Sequence, residues 1–348
     1  VASPLTNSVL ARTLVTLALA ACGGIAAAYL GIPVGWIAGS LLAVAAASLA
    51  GFPTEMPNPI RAPLYVVLGV YAGSGVSPAT LHQMETWPAS FAILGVSLIG
   101  VIAGSYWWLH DRSGWDRDSA LLSSLPGALS LVMATAETSN ADMKKVAVTQ
   151  SIRVLILIEA VPLLAFLVGS PERSFVSTGG APLADPAELA LLAVAGIAGG
   201  FAAERARLPG GWMIGGLAAS GALYLTGTVT SVLPFPVVAV ATIMLGAVTG
   251  SRFRPGDLAI LPYLAKPALV AFSIAMGISL VATLLVTFWL GVPFIQALLA
   301  FAPGALDALI IIAFTLNIDP AYVAAHHVVR FVAIVAMVPL LARWLRRR

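Results

Sequence analysis

Apolar stretches of about 20 residues, helix length for a bilayer, alternate with short polar breaks along the chain. Five lie near 10–30, 36–51, 63–81, 87–109 and 144–168. A polar segment at 170–186 follows, rich in Ser, Pro, Glu, Arg, Thr, Gly and Asp. Five more stretches lie near 187–206, 212–228, 235–250, 263–290 and 321–342. One segment is left over in each half, roughly 118–142 and 295–319, and each carries a Pro-Gly pair about a third of the way along. The pattern predicts membrane helices. Weakly alternating segments of about ten residues, the signature of a membrane barrel, are absent.

The pattern repeats position by position. Pro126-Gly127-Ala128-Leu129 recurs as Pro303-Gly304-Ala305-Leu306. At the same offset Asn140 matches Asn317, Asp142 matches Asp319 and Arg153 matches Arg330. Val161-Pro162-Leu163-Leu164-Ala165 likewise matches Val338-Pro339-Leu340-Leu341-Ala342. A duplication fixes the architecture before any residue is read for chemistry. It predicts a first repeat at 1–169, a linker at 170–186 outside the cytoplasm and a second repeat at 187–348, together forming one transmembrane domain.

Composition agrees with the membrane reading. Hydrophobic residues make up 59% of the 348 and charged residues 9%, where a soluble domain has about 25% charged. The net charge of +3 is no nucleic-acid signal, because most basic residues stand at the ends of apolar stretches. Cys22, the single cysteine, excludes intrachain disulfides and cysteine metal clusters. The first polar residues lead into a full-length apolar span without a small-residue cleavage site, so no signal peptide is expected.

The positive charges decide how the leftover segments run. If both are re-entrant hairpins, each half has five spans. Of the 18 Lys and Arg, 15 then lie inside, Arg173 alone lies outside, and Arg153 and Arg330 lie within spans. If both cross fully, the split becomes 9 against 7. The positive-inside rule favours the hairpins. A kink in a crossing helix is the competing reading of Pro-Gly. Five spans per half force the second copy to enter from the opposite face. The expected fold is therefore an all-α polytopic membrane protein of two inverted repeats, each about five transmembrane helices plus one re-entrant helical hairpin. That is an architecture of secondary transporters. Both termini then face the cytoplasm of a bacterial inner membrane.

Two intramembrane cations dominate the candidate chemistry. Arg153 and Arg330 each sit about ten residues into an apolar span, where a charge costs several kcal/mol and needs a partner or a wet cavity. Either they bind an anion such as a carboxylate through paired hydrogen bonds, or they clasp the structure. A clasp would use an intramembrane acid or backbone carbonyls freed at a hairpin tip. Gln150 and His327 occupy matching positions one turn earlier, on the arginine's face. His327 is either a proton relay or a bond to a neighbouring helix. His326, beside it, points elsewhere. The tips Pro126-Gly127 and Pro303-Gly304 would let a helix begin at mid-depth and offer backbone N–H groups to an anion. Ser130 and Asp307 lie one turn further on at equivalent positions. Ser130 is a candidate donor to substrate. Asp307 is a candidate for a coupling proton or Na⁺, or for pairing with an arginine.

Further candidates for the coupling ion are Asn140, Asn317, Thr138, Thr315, Asp142 and Asp319. The competing reading of the two aspartates is helix capping, most visibly at Asp319-Pro320. Glu159 lies six residues beyond Arg153, almost across the helix, and is a poor partner for it. Trp36-Ile37-Ala38-Gly39 with Trp212-Met213-Ile214-Gly215, and Gly69…Gly73 with Gly246…Gly250, have the small-residue spacing that lets helices approach closely.

The Gly31-x-Pro33-x-Gly35-Trp36 turn, the Pro-Gly-Ala-Leu segments and the Gln/His-x-x-Arg helices together resemble the AbrB membrane-protein family, over nearly the whole chain. That family is distinct from the DNA-binding regulators of the same name. The second copy here departs at the turn, where Arg207 replaces the leading glycine. The resemblance implies a duplicated membrane domain; members of the family have been labelled ammonia monooxygenases or regulators. An oxygenase would need clustered metal ligands, and of His82, His110, His326 and His327 only the last two are close in sequence. No metal, cofactor or enzymatic activity is expected. The expected function is H⁺- or Na⁺-coupled transport of a small organic anion by alternating access, with elevator motion and a homodimer as analogies. The alternative is a membrane sensor that binds a small ligand without moving it.

Overall fold

A computed structural model describes residues 8–127, 129–167, 185–254 and 257–346. The side chains of 79, 129–131, 165–166, 257–261 and 338–346 are outside that description. Ala128, the Ser130 side chain, most of the 170–186 linker with Arg173, and the side chains of 338–342 therefore lie outside the described residues.

The described residues hold helices and no strand. In the first half these are α1 (Val9–Tyr29), α2 (Gly35–Leu49), α3 (Arg61–Gly73), α4 (Pro78–Gln83), α5 (Trp87–Trp107), α6 (Arg117–Ser124), α7 (Leu129–Glu137) and α8 (Met143–Leu167). In the second they are α9 (Pro186–Arg205), α10 (Gly211–Leu225), α11 (Phe235–Gly250), α12 (Asp257–Leu290), α13 (Phe294–Phe301), α14 (Leu306–Thr315) and α15 (Pro320–Arg346). The order of elements repeats. α13 starts and ends at the counterpart positions of α6, and α14 and α15 start at those of α7 and α8. Six of the helices are long and apolar enough to cross a membrane. The protein is an all-α polytopic membrane protein.

The stretch expected as one span at 63–81 is shorter. α3 stops at Gly73, and the chain restarts at Pro78. Gly73-Ser74-Gly75 supplies little helix propensity, and Pro78 is suited to a helix start rather than an interior.

Contacts divide the chain into two compact units, each drawing on both repeats. One comprises the chain to Leu81, the end of α8 from Ile158, α9–α11 and the segment Asp307–Ala321. In it α1 packs on α2, α9 on α10, α2 on α11 and α3 on α10. Glycines make these approaches possible. A Cβ at Gly39 would sit 2.2 Å from the Gly23 carbonyl oxygen, and one at Gly215 would sit 2.0 Å from that of Gly199. Both distances are steric overlaps, so the helices meet backbone to backbone. The outer faces of α1 and α9 stay apolar, with Leu14, Ile25, Val194, Ile197 and Phe201 exposed, as lipid contact requires.

The other unit runs from His82 to Leu157, from Asp257 to Leu306 and from Tyr322 onward. α5 packs along α12. Leu98, Ile102, Leu121, Leu122, Leu125, Val132, Val146 and Ile334 form its main core cluster. This unit holds both arginines.

Candidate functional site

α6 is 8 residues long and α7 is 9, so each spans only about 12–14 Å at 1.5 Å per residue. Neither crosses a bilayer core of about 30 Å. The chain instead doubles back. The Asn140 amide donates to Asp118 Oδ2 at 3.0 Å, and the Asp142 amide donates to Ser119 Oγ at 2.7 Å. The end of the segment thus lies beside its start, which makes 116–142 a closed helical hairpin rather than a kinked helix.

The turn is written by Pro-Gly. A proline disfavours helical backbone in the residue before it. α6 ends at Leu125 (φ −69°, ψ 120°), and α13 ends at Ala302 in nearly the same conformation (φ −54°, ψ 133°). Gly127 then takes φ +87° and Gly304 takes φ +142°.

A helix that stops in the protein interior leaves its last carbonyls without partners, and buried backbone acceptors must be satisfied. The arginine helices supply the donors. Arg153 donates through one terminal nitrogen to the Leu125 carbonyl at 3.0 Å and to Gln150 Oε1. Gln150 Nε2 donates to the carbonyls of Leu125 and Leu122 at 3.0 and 3.3 Å. In the other copy Arg330 donates to the Ala302 carbonyl and to His327 Nδ1, and His327 Nε2 donates to the Leu299 carbonyl at 3.1 Å. Each partner in one clasp is the repeat counterpart of a partner in the other. Cationic donors at a helix C-terminus also suit its dipole. Of the two clasps considered from sequence, the carbonyl clasp is the one formed, and His327 bonds a neighbouring helix.

The clasp does not exhaust the arginines. Both are 4% exposed, and among the described residues neither has a carboxylate within ion-pair distance. Their charges repel one another. Arg153 Nε is buried without a hydrogen-bond partner. A Cβ added at Gly304 would find Leu157 Cδ1 at 3.5 Å and Arg153 Cδ and Nε at 3.8 Å. The unmet N–H of one repeat therefore lies against the glycine tip of the other.

The remaining candidates fall elsewhere. Asp142 accepts from the Lys144 amide at 2.9 Å and Asp319 from the Ala321 amide at 2.8 Å, so both cap helices. Thr138 and Thr315 donate to the carbonyls of Thr135 and Ile311 on their own helices. Asn140 is exposed, and Asn317 takes φ +59°. Asp307 lies in the first turn of α14, near the Tyr65 hydroxyl and the charges of Arg252 and Arg61. Glu159 Oε1 is buried without a partner. Outside the spans, Asp116 caps α6 by accepting from the Ser119 amide at 2.7 Å. It also meets Lys145 Nζ at 3.4 Å. Burial pushes the Asp116 carboxyl up, but the Ser119 and Lys145 donors outweigh it and hold it below the usual carboxylate range.

Sequence reasoning misses one buried polar group. His326 Nδ1 lies 2.8 Å from the Tyr322 carbonyl, its Nε2 lies 2.7 Å from Ser90 Oγ, and Ser90 Oγ lies 2.6 Å from the Tyr322 hydroxyl. All three residues are fully buried. The signal available in sequence is spacing: Tyr322, His326 and Arg330 stand four apart, on one face of α15. Among the described residues no group of three or more His, Cys, Asp or Glu side chains is placed to hold a metal ion.

Known proteins share this sequence pattern. The family described as "Transition state regulatory protein AbrB" matches residues 36–346. The protein YhjN of Bacillus subtilis (strain 168) is 23% identical over 356 aligned residues, covering 93% of this chain and 90% of YhjN. A protein of Escherichia coli (strain K12) named as a regulator, AbrB, is 26% identical over 328 residues, covering 90% of each chain.

Proposed function

This chain belongs to the AbrB family, and we propose that it is a secondary transporter of a small organic anion, coupled to H⁺ or Na⁺ and working in a bacterial inner membrane. The observation that carries the proposal is the pair of buried arginines without a carboxylate partner among the described residues, one with an unmet Nε beside the opposite tip. Two desolvated, mutually repelling cations are costly unless an anion joins them. A carboxylate is acceptor-only and suits an N–H that the backbone leaves free. Closed hairpin geometry at 116–142 supports a re-entrant segment, and the charge asymmetry of the sequence supports opposed entry of the two copies. On this reading the repeats are inverted, the anion sits between the tips and the arginine helices, and alternating access moves around it in a homodimer. The protein performs no covalent chemistry.

The test is flux of radiolabelled mono-, di- and tricarboxylates into proteoliposomes carrying the full chain. Uptake of at least one is expected, with loss in Arg153→Lys at retained folding. No flux of any, with a folded protein, overturns the transport reading. The regulator name of the Escherichia coli relative favours a sensor as second reading; binding of a carboxylate without flux would support it.

A further inference from the structure

We propose that His326, reached through the hydroxyls of Tyr322 and Ser90, is a proton-binding site linked to the charge of Arg330. The linkage to transport rests on the anion reading above; the proton site itself does not.

Hydrogen-bond chemistry assigns the protons. The Tyr322 carbonyl only accepts, so His326 Nδ1 carries hydrogen. Nε2 of the neutral ring is then an acceptor, Ser90 O–H donates to it, and Tyr322 O–H donates to Ser90. This chain can reverse. A proton delivered to the Tyr322 oxygen releases that hydroxyl's own proton to Ser90, and Ser90 releases its proton to Nε2. Each oxygen ends with one hydrogen, and the imidazolium donates to Ser90, which donates to Tyr322. No heavy atom moves; the imidazolium and Ser90 each keep an acceptor, and the Tyr322 hydrogen turns away from Ser90 toward the side from which the proton came. Release runs the same steps backward.

His327 lacks this freedom. Its Nε2 donates to the Leu299 carbonyl, and its Nδ1 faces an Arg330 nitrogen that can only donate. Protonating His327 would set N–H against N–H. Two adjacent histidines thus divide the work, one locked neutral in the clasp and one free to change state.

Aromatic rings surround His326. Ring centroids of Tyr322, Phe91 and Phe301 lie 4.0, 4.7 and 5.6 Å from the imidazole's, within cation–π reach. Ser90 and Phe91 face it from α5, Phe301 from α13, and Tyr322, His327 and Arg330 from its own helix; among the described residues the only full charge acting on it is that of Arg330. That charge opposes the proton. An anion at Arg330 relieves the opposition, so proton and anion each favour the other's binding, by linkage. Tyr322 is in the first turn of α15, and His326 and Arg330 are successively one turn deeper.

The test is ¹⁵N NMR of the histidine-labelled full chain in lipid nanodiscs, assigned with single His→Gln variants. As the pH is lowered from about 8 to about 3, through and below the ordinary histidine range, His326 is expected to gain its second N–H while His327 keeps one. Ser90→Ala and Tyr322→Phe each strand a donor in the protonated chain and are expected to lower the His326 midpoint by about one pH unit or more. Arg330→Gln is expected to raise it. A His326 that keeps one N–H throughout, or a midpoint unmoved in both hydroxyl variants, overturns the proposal. This readout contains no substrate, so its failure is distinct from a failure of anion flux.

Discussion

Arg153, from one repeat, lies against Gly304, from the other, with a Cβ position at Gly304 only 3.8 Å from the arginine's Nε. Each copy builds its own clasp, yet the tip of one lies against the cation of the other copy. Gly304→Ala would fit sterically but not conformationally, because φ +142° is a region that L residues avoid. A stability loss of about 1–3 kcal/mol is expected, read as a lowered denaturation midpoint in detergent. An unchanged midpoint would show that the tip adapts at no cost.

The two clasps use different residues for one task. Gln150 accepts from Arg153 and donates to carbonyls; His327 accepts from Arg330 and donates to a carbonyl. His327→Gln should therefore hold stability within about 0.5 kcal/mol, while His327→Ala should cost about 1–3 kcal/mol by leaving buried groups unpaired. Proton coupling should survive His327→Gln. Its loss there, with folding intact, would return the relay role to His327.

The neck of the hairpin carries a pH dependence. The Asp116 carboxyl is held below its ordinary range, so it contributes stability above its unfolded pKa of about 4. That contribution is lost as pH falls through the lower, folded value. Thermal unfolding from pH 7 down to about pH 3 should show a destabilisation on the acid side that is smaller in Asp116→Asn. Equal acid sensitivity in both proteins would show that Asp116 is not its source.

Arg207 stands where the first copy has Gly31, and both end their helices in left-handed backbone, φ +57° and +69°. The amides after each helix make the same closing bonds, Ile32 to Ala27 and Leu208 to Ala203. Arg207 carries the Cβ penalty that glycine avoids. Arg207→Gly should stabilise by about 1 kcal/mol, seen as a higher unfolding temperature.

The frame was legible because duplication is a pattern of residue types. The constant offset foretold the matching breaks at Pro126 and Pro303 and the matching arginines. The arginines' partners were not legible. The acceptors are the main-chain carbonyls of Leu125 and Ala302, and a backbone acceptor has no residue-type signature. The Ser90–His326 bond joins positions far apart in sequence, outside any periodicity. Asp142 and Asp319 carry a capping signal in sequence, and the amides of Lys144 and Ala321 are the partners it implies. The shortening of the 63–81 stretch to α3 escaped hydropathy because Gly, Ser and Val are apolar enough to continue a span while failing to continue a helix.

That the two arginines hold an anion between the tips is tested most directly by an experimental density map of the full chain in lipid. The map is needed with and without a saturating carboxylate that the flux assay shows to be carried. Added density is expected within hydrogen-bond distance of Arg153 Nε and beside Gly304. Density at another place, or none at saturation with both guanidiniums still bound only within their clasps at Leu125 and Ala302, would contradict anion binding there and leave the arginines as clasps alone.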